Sequence, residues 1–299
     1  MTRGVWFGAA AYTLWGLFPL YWTQIESIPA LQIIAHRIAW SFIVLIVLMV
    51  ATRRWRDNAA RESGLLLVSI RPYALAAVLI GINWFLYVWG VNHGLVVGTS
   101  LGYFITPLVN VLLGVAVLRE SLRRAQWLAV AIATSGVAYL SIAHGSVPWI
   151  SLALALTFGT YGLVKKRAPL SAANGLTLET GILFLPAVAF LLAVELAGAG
   201  AFVHAGARIT LLLAGAGVVT TIPLLLFATA ARAIPLSVLG ILQYISPTIQ
   251  FFLGVFLYHE PFTRSQLAGF GLVWTALTVF AIDGAVAHAR PAILDEGEF

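Results

Sequence analysis

The sequence predicts an all-α polytopic membrane protein in which ten transmembrane helices form two inverted five-helix repeats. Three observations carry this expectation. Apolar side chains make up 61% of the 299 residues and charged ones only 9%, with a mean hydropathy of +0.97, whereas soluble domains carry about 25% charge. Apolar runs of about 20 residues, each long enough to cross about 30 Å of hydrocarbon, recur ten times along the chain. Finally, one set of residues recurs at a fixed offset of 140 positions.

The first run, residues 4–25, follows Arg3 and ends at Glu26. It is too long for a signal-peptide core and lacks a small-residue cleavage pattern, so it reads as a span. The next runs are 31–51, bounded by Ser27 and the polar cluster Arg53-Arg54-Trp55-Arg56-Asp57-Asn58, and 73–92, which ends at Asn92-His93-Gly94. Spans four and five are 96–118 and 125–143, and the sixth, 147–164, stops at Lys165-Lys166-Arg167. The last four are 172–194, 208–230, 234–257 and 266–285. Trp6, Trp55 and Trp149 sit near span ends, where indoles anchor helices at the membrane interface.

Numbering the spans separates the cations. Arg3, Arg53, Arg54, Arg56, Arg61, Arg71, Arg119, Arg123, Arg124, Lys165, Lys166, Arg167, Arg232 and Arg290 fall on the side of the N-terminus, and only Arg208 and Arg264 on the other. Positive loops resist translocation, so both termini are expected in the cytoplasm, with the chain in the inner (plasma) membrane. The excess of 17 Lys and Arg over 11 Asp and Glu therefore reads as topology, and no nucleic-acid partner is expected. The absence of cysteine excludes disulfides, thiolate metal sites and thiol catalysis.

The repeat aligns Tyr103-Phe104-Ile105-Thr106-Pro107 with Gln243-Tyr244-Ile245-Ser246-Pro247, then Gly114 with Gly254, Glu120 with Glu260 and Gln126 with Gln266. Looser matches pair Trp15-Gly16-Leu17 with Tyr161-Gly162-Leu163 and Ile28-Pro29 with Ala168-Pro169. Residues 1–143 form the first expected repeat, 144–288 the second, and 289–299 a short cytoplasmic tail. Five spans per half force the second half to enter the membrane upside down relative to the first. Glu120 then falls at the cytoplasmic end of span four and Glu260 at the outer end of span nine. Inverted repeats around a midplane site are characteristic of secondary transporters.

The chain resembles the EamA branch of the drug/metabolite transporter superfamily, and within it the bacterial permeases called RarD or chloramphenicol-sensitivity proteins. The resemblance is carried by Ala35-His36-Arg37-Ile38-Ala39-Trp40-Ser41, Asn83-Trp84-Phe85-Leu86-Tyr87-Val88-Trp89, Ser100-Leu101-Gly102-Tyr103-Phe104, Pro107-Leu108-Val109-Asn110-Val111-Leu112-Leu113-Gly114 and Leu242-Gln243-Tyr244-Ile245-Ser246-Pro247-Thr248. It implies two five-helix repeats around a central cavity lined mainly by spans one, three, four, six, eight and nine. Gly98 departs from the group's pattern, which has an acidic residue there, so no coupling role of that carboxylate transfers.

Three ionisable residues fall about two turns or more inside spans, toward the bilayer centre: His36 and Arg37 in span two, Glu179 in span seven. An ionised side chain at the bilayer centre costs at least about 2.5–3.5 kcal/mol. One expectation is a site for substrate charge or protons, with Glu179 titrating, His36 relaying and Arg37 holding an anionic group. The other is a structural Arg37–Glu179 pair, or an Arg37 that snorkels to the outer interface.

Trp15, Asn83, Trp84, Tyr87, Tyr103, Asn110, Tyr161, Gln243, Tyr244 and Gln250 lie on spans expected to line the cavity and are the candidate substrate-binding residues. Rings offer broad apolar contact and amides oriented hydrogen bonds, which suits an organic solute bound without covalent chemistry. Pro107 and Pro247 interrupt equivalent spans and are candidate hinges; Pro19, Pro186 and Pro223 are further candidate kinks. Gly269 and Gly271 are expected to allow close helix packing.

No phosphate-binding loop, metalloprotease motif or nucleophile elbow occurs, so neither cofactor nor metal is expected and the chain is not expected to be an enzyme. The expected function is secondary transport of small organic metabolites or drug-like compounds by alternating access, with proton coupling as an open addition. The alternatives are an intramembrane enzyme acting on a lipid-linked substrate, or a lipid scramblase or channel. Expected partners are a small-molecule substrate, the bilayer and, under coupling, protons, with the chain a monomer or a homodimer.

Overall fold

In hydrocarbon the backbone must satisfy its own hydrogen bonds, and a chain this apolar does so by folding entirely into helices. The computed structural model describes residues 2–52, 54–93, 95–143, 149–259 and 264–295, and among these there is no strand. Glu260 and residues 296–299 of the expected tail lie outside them, as do the side chains of Arg54, Trp55, Arg56, Arg61, Gln266 and Arg290.

The first rod is α1 (Thr2–Gly16) and α2 (Phe18–Trp22), broken at Leu17 just before Pro19, whose ring supplies no N–H. Then follow α3 (Ala30–Ala51), α4 (Arg54–Asn92), α5 (Val96–Leu118), α6 (Arg124–Ala143), α7 (Trp149–Arg167), α8 (Ala172–Leu196) and α9 (Ala207–Ala233). The ninth rod is α10 (Leu236–Gln243) and α11 (Ile245–Phe252) with a π turn over Leu253–Leu257, and the tenth is α12 (Arg264–Asp295). Among the described residues, eight stretches are long and apolar enough to cross a membrane: α3, α5, α6, α8, α9, the α10–α11 rod, and the parts of α4 and α12 at Ile70–Gly90 and Leu267–Val286. The α1–α2 rod is divided into short pieces, and α7 ends in Lys165, Lys166 and Arg167. Leu185, Leu196 and Ile142 project outward at 73%, 89% and 79% exposure, which suits contact with lipid.

Two expected bounds change. Helix α4 starts at Arg54 rather than near residue 73, and α12 runs to Asp295, ten residues past the expected end of its span.

The principal helix contacts run between the halves rather than within them. α5 packs on α7 and α10, α6 on α12, α3 on α8 and α9, α1 on α9, α10 and α11, and α4 on α7 and α8. Each pairing has its counterpart under the 140-residue correspondence: α5 on α7 matches the ninth rod on α1, α4 on α7 matches α9 on α1, and α3 on α9 matches α8 on α4.

Glycines set the closest approaches. A Cβ on Gly217 of α9 would lie 2.4 Å from the Trp40 carbonyl carbon of α3, and one on Gly269 of α12 would lie 2.4 Å from the Leu140 side chain of α6. Gly269 thus permits close packing as expected, while Gly271 differs: a Cβ there meets nothing within 4 Å. Pro186 and Pro223 sit inside α8 and α9. Pro107 sits inside an unbroken α5, whereas the rod holding Pro247 is broken at Tyr244.

Candidate functional site

A cavity of about 410 Å³ opens between seven of the ten rods. Its wall is aromatic: Trp15 and Tyr12 from α1, Phe18 and Trp22 from α2, Trp84 and Tyr87 from α4, Tyr103 from α5 and Phe158 from α7. On the first rod Tyr12, Trp15, Pro19 and Trp22 follow helical spacing, so one face of that rod is given to the cavity. Polar groups come from Asn83 of α4, Gln243 of α10, Ser246 and Gln250 of α11, and Arg37 of α3. Pro247 also lies on the wall.

The amides are oriented by the helices around them. The Asn83 Nδ2 donates to the Leu154 carbonyl and to Thr157 Oγ1, both at 2.9 Å. Gln250 Nε2 donates to the Trp15 carbonyl at 3.2 Å and to Ser246 Oγ at 3.4 Å. Gln243 Oε1 accepts from Asn110 Nδ2 at 2.9 Å. Fixed amides in an aromatic chamber bind a solute by shape and by a few directed hydrogen bonds.

Of the ten sequence-derived binding residues, seven line the cavity: Trp15, Asn83, Trp84, Tyr87, Tyr103, Gln243 and Gln250. The other three are buried in helix contacts. Asn110 lies two turns deeper than Tyr103 on α5 and supports Gln243. Tyr244 donates its hydroxyl hydrogen to the Phe104 carbonyl at 3.2 Å, and Tyr161 donates to Glu179 at 3.2 Å. Pro107 packs against α10, its carbonyl oxygen 2.7 Å from where a Gly240 Cβ would stand.

The intramembrane charges are separated. Consecutive helical residues point about 100° apart, so Arg37 faces the cavity while its neighbour His36 packs on the Phe202 ring, centroids 5.1 Å apart. Arg37 Nε donates to Thr220 Oγ1 at 3.1 Å, and the guanidinium carbon lies 4.7 Å from the Trp84 ring centre and 4.8 Å from that of Trp22. α3 thereby adds a wall to the cavity that the family resemblance did not imply. Glu179 does not pair with Arg37: its Oε1 accepts from Lys165 Nζ at 2.6 Å, with both side chains nearly inaccessible. Reading Lys165 as a loop cation missed this partner; the available signal was its position four residues after Tyr161, on the same helix face.

At the floor of the cavity its lining rings Tyr12, Trp15 and Phe158 join Tyr161 and Phe227 in an aromatic plug, with ring centroids 5.5–6.2 Å apart along the contacting pairs. Below the plug, at the cation-rich end, side chains tie helix ends together. Glu120 accepts from the backbone N–H groups of Leu236 and Ser237 at 2.6 and 2.9 Å and from the Ser237 hydroxyl at 2.7 Å. Those N–H groups belong to the first turn of α10, where a helix has no internal acceptors and favours negative charge. The Glu120 side chain reaches them by folding over Gly114, where a Cβ would stand 2.5 Å from its Oε2. Lys166 Nζ donates to the Ile234 and Ala231 carbonyls at 2.5 and 3.3 Å, and Arg232 donates to the carbonyls of Ala168 and Leu170.

A family profile described as EamA-like transporter family matches residues 2–142. The chain is 46% identical over 286 residues to the "Uncharacterized transporter YojE" of Bacillus subtilis (strain 168), covering 93% of each. It is 46% identical over 292 residues to "Protein RarD" of Streptomyces exfoliatus, covering 96% of this chain and 90% of that one. It is 40% identical over 288 residues to "Protein RarD" of Escherichia coli (strain K12), covering 96% and 97%. A solved crystal structure aligns over 93% of this chain and 96% of its own with a TM-score of 0.69 at 16% identity, which is a likeness of fold.

Proposed function

The chain belongs to the EamA-like transporter family and is a multi-pass membrane transporter of the drug/metabolite superfamily, and from that premise we propose that it moves small organic metabolites or drug-like solutes by alternating access. The observation that carries the reading is the aromatic and amide cavity, floored by a ring cluster and tied at the cation-rich end by Glu120 and Lys166. By the positive-inside rule we take the cation-rich end as cytoplasmic, with both termini on that side of the inner membrane, so that the cavity faces outward in this conformation.

Two inverted repeats, residues 1–143 and 144–288, supply the reverse conformation. Three features support this. Helix pairings recur between the halves. The same proline stands in a continuous helix in one half and a broken rod in the other, as expected of a hinge caught in two forms. Arg119 and His259, 140 positions apart, share a left-handed backbone at φ 56° and 53°, and each directly precedes a glutamate of the repeat.

Counterflow in proteoliposomes made from the purified chain tests the function, with compounds chosen by metabolite profiling of cells with and without the gene. Exchange is expected with wild type and loss of affinity with Asn83→Ala or Gln250→Ala. Chemical turnover of the compounds without transport would favour an intramembrane enzyme instead, and lipid flip-flop without solute exchange a scramblase. Proton coupling through Glu179 has its own test: Glu179→Gln removes the response to a pH gradient if that carboxyl carries the proton, and leaves it unchanged if the Lys165 pair is structural.

A further inference from the structure

Among the described residues Arg37 is the one charged side chain on the cavity wall, and it makes no ion pair there. Its Nε–H is taken by Thr220, and the indole rings of Trp22 and Trp84 cover the flat guanidinium. The terminal amino groups are left, and they form the edge that grips a planar oxyanion with two parallel hydrogen bonds. A guanidinium does not deprotonate in proteins, so the charge is permanent.

An outward-open cavity lets water solvate this charge, but closing the chamber expels water and leaves the charge in an aromatic box. A buried charge then needs a partner. Among the described residues no carboxylate lines the cavity, and the two that the helices hold below it are committed, Glu179 to Lys165 and Glu120 to the start of α10. The counter-charge must therefore arrive with the solute. The amides describe the rest of it: with their NH2 groups engaged by protein acceptors, Asn83 and Gln250 have carbonyl oxygens left to accept, while Gln243, whose oxygen is engaged, has an NH2 left to donate.

We infer that the cavity selects small organic carboxylates with an apolar or aromatic body, the carboxylate held by the terminal nitrogens of Arg37 and a donor group on the solute meeting Asn83 or Gln250. The inference rests on the transporter reading and adds a substrate class to it. It also means that the empty carrier resists closing, so exchange outpaces net flux.

The test is binding of three matched sets to the full-length wild-type protein in detergent, followed by calorimetry: benzoate, benzamide and benzylamine; indole-3-acetate, indole-3-acetamide and tryptamine; hexanoate, hexanamide and hexylamine. At least one carboxylate is expected to bind tenfold or more tightly than its amide, with the amine weakest. Arg37→Gln should erase that preference, and Arg37→Lys, which keeps the charge but loses the planar fork, should retain part of it. If no carboxylate outbinds its amide in any set, or the preference survives in Arg37→Gln or is undiminished in Arg37→Lys, the inference is overturned. Counterflow separates it from the reading beneath it. Exchange of amides or amines without carboxylate preference leaves a transporter of another substrate class, whereas carboxylate binding with no exchange of any compound leaves the site and removes the transporter.

Discussion

Removing the acceptor at Glu120 should loosen the cation-rich end without disturbing the cavity. Its carboxylate takes three hydrogen bonds at 2.6–2.9 Å from the first turn of α10. Bonds to a charged group contribute about 1.5–3 kcal/mol each. Glu120→Gln keeps the volume and one acceptor but loses the charge, a loss of about 2 kcal/mol, which is roughly thirtyfold in the ratio of sealed to open forms. Glu120→Ala removes all three bonds, a loss of about 4.5 kcal/mol at the low end of that range or roughly two-thousandfold. The chain has no cysteine, so one introduced thiol reports cleanly. Leu239 is fully buried in the packing below the cavity, and Leu239→Cys should react slowly with an impermeant maleimide applied from the cation-rich side. Both Glu120 variants should accelerate that reaction, alanine more than glutamine. An unchanged rate in the alanine variant, with the protein still folded, would refute the assignment of Glu120 as a seal.

Other expectations follow from packing and charge. Lys165→Met leaves Glu179 buried without its cation at a cost of about 3–5 kcal/mol, so its thermal midpoint in detergent should fall further than that of the Lys165→Met/Glu179→Leu double variant; equal falls would mean the two charges are not coupled. Gly217→Ala drives a methyl group into the Trp40 backbone and should abolish accumulation of folded protein, whereas Gly271→Ala, with open space around it, should express normally; fluorescence-detected size exclusion compares the two. Ser237→Ala removes one of the three Glu120 contacts and should give about 1.5 kcal/mol of the Glu120 effect, a roughly tenfold faster Leu239→Cys reaction rather than a roughly two-thousandfold one.

Hydropathy alone was enough to divide the chain into ten rods, because a bilayer permits spanning backbone little but helix. It was a poor guide where polar residues continue a helix. Residues 54–69 hold three Arg, three Leu and two Ala, good helix formers, and α4 runs through them unbroken. Composition identified the chemistry of the cavity, and seven of the ten chosen residues face it. The other three show what periodicity lacks. Asn110 is seven residues from Tyr103 and shares its face, yet depth along the axis puts it below the floor of the cavity. Tyr244 is turned from Gln243 by one residue's rotation and meets Phe104 instead. Lys165, counted with the loop cations, is missed for a related reason: a long side chain at a helix end reaches back toward the membrane when a carboxylate waits there.

The central claim is one cavity exposed in turn to the two sides of the membrane. Ser246 lines that cavity on α11, so a single Ser246→Cys substitution, probed with an impermeant maleimide from each side of oriented vesicles, tests the claim most directly. The account predicts labelling from both sides, faster from the side opposite the cation-rich end. Glu120→Gln should move the two rates in opposite directions, slower from the outer side and faster from the cation-rich one. Labelling from one side only, unmoved by Glu120→Gln, would contradict it and leave a fixed pocket in place of a carrier.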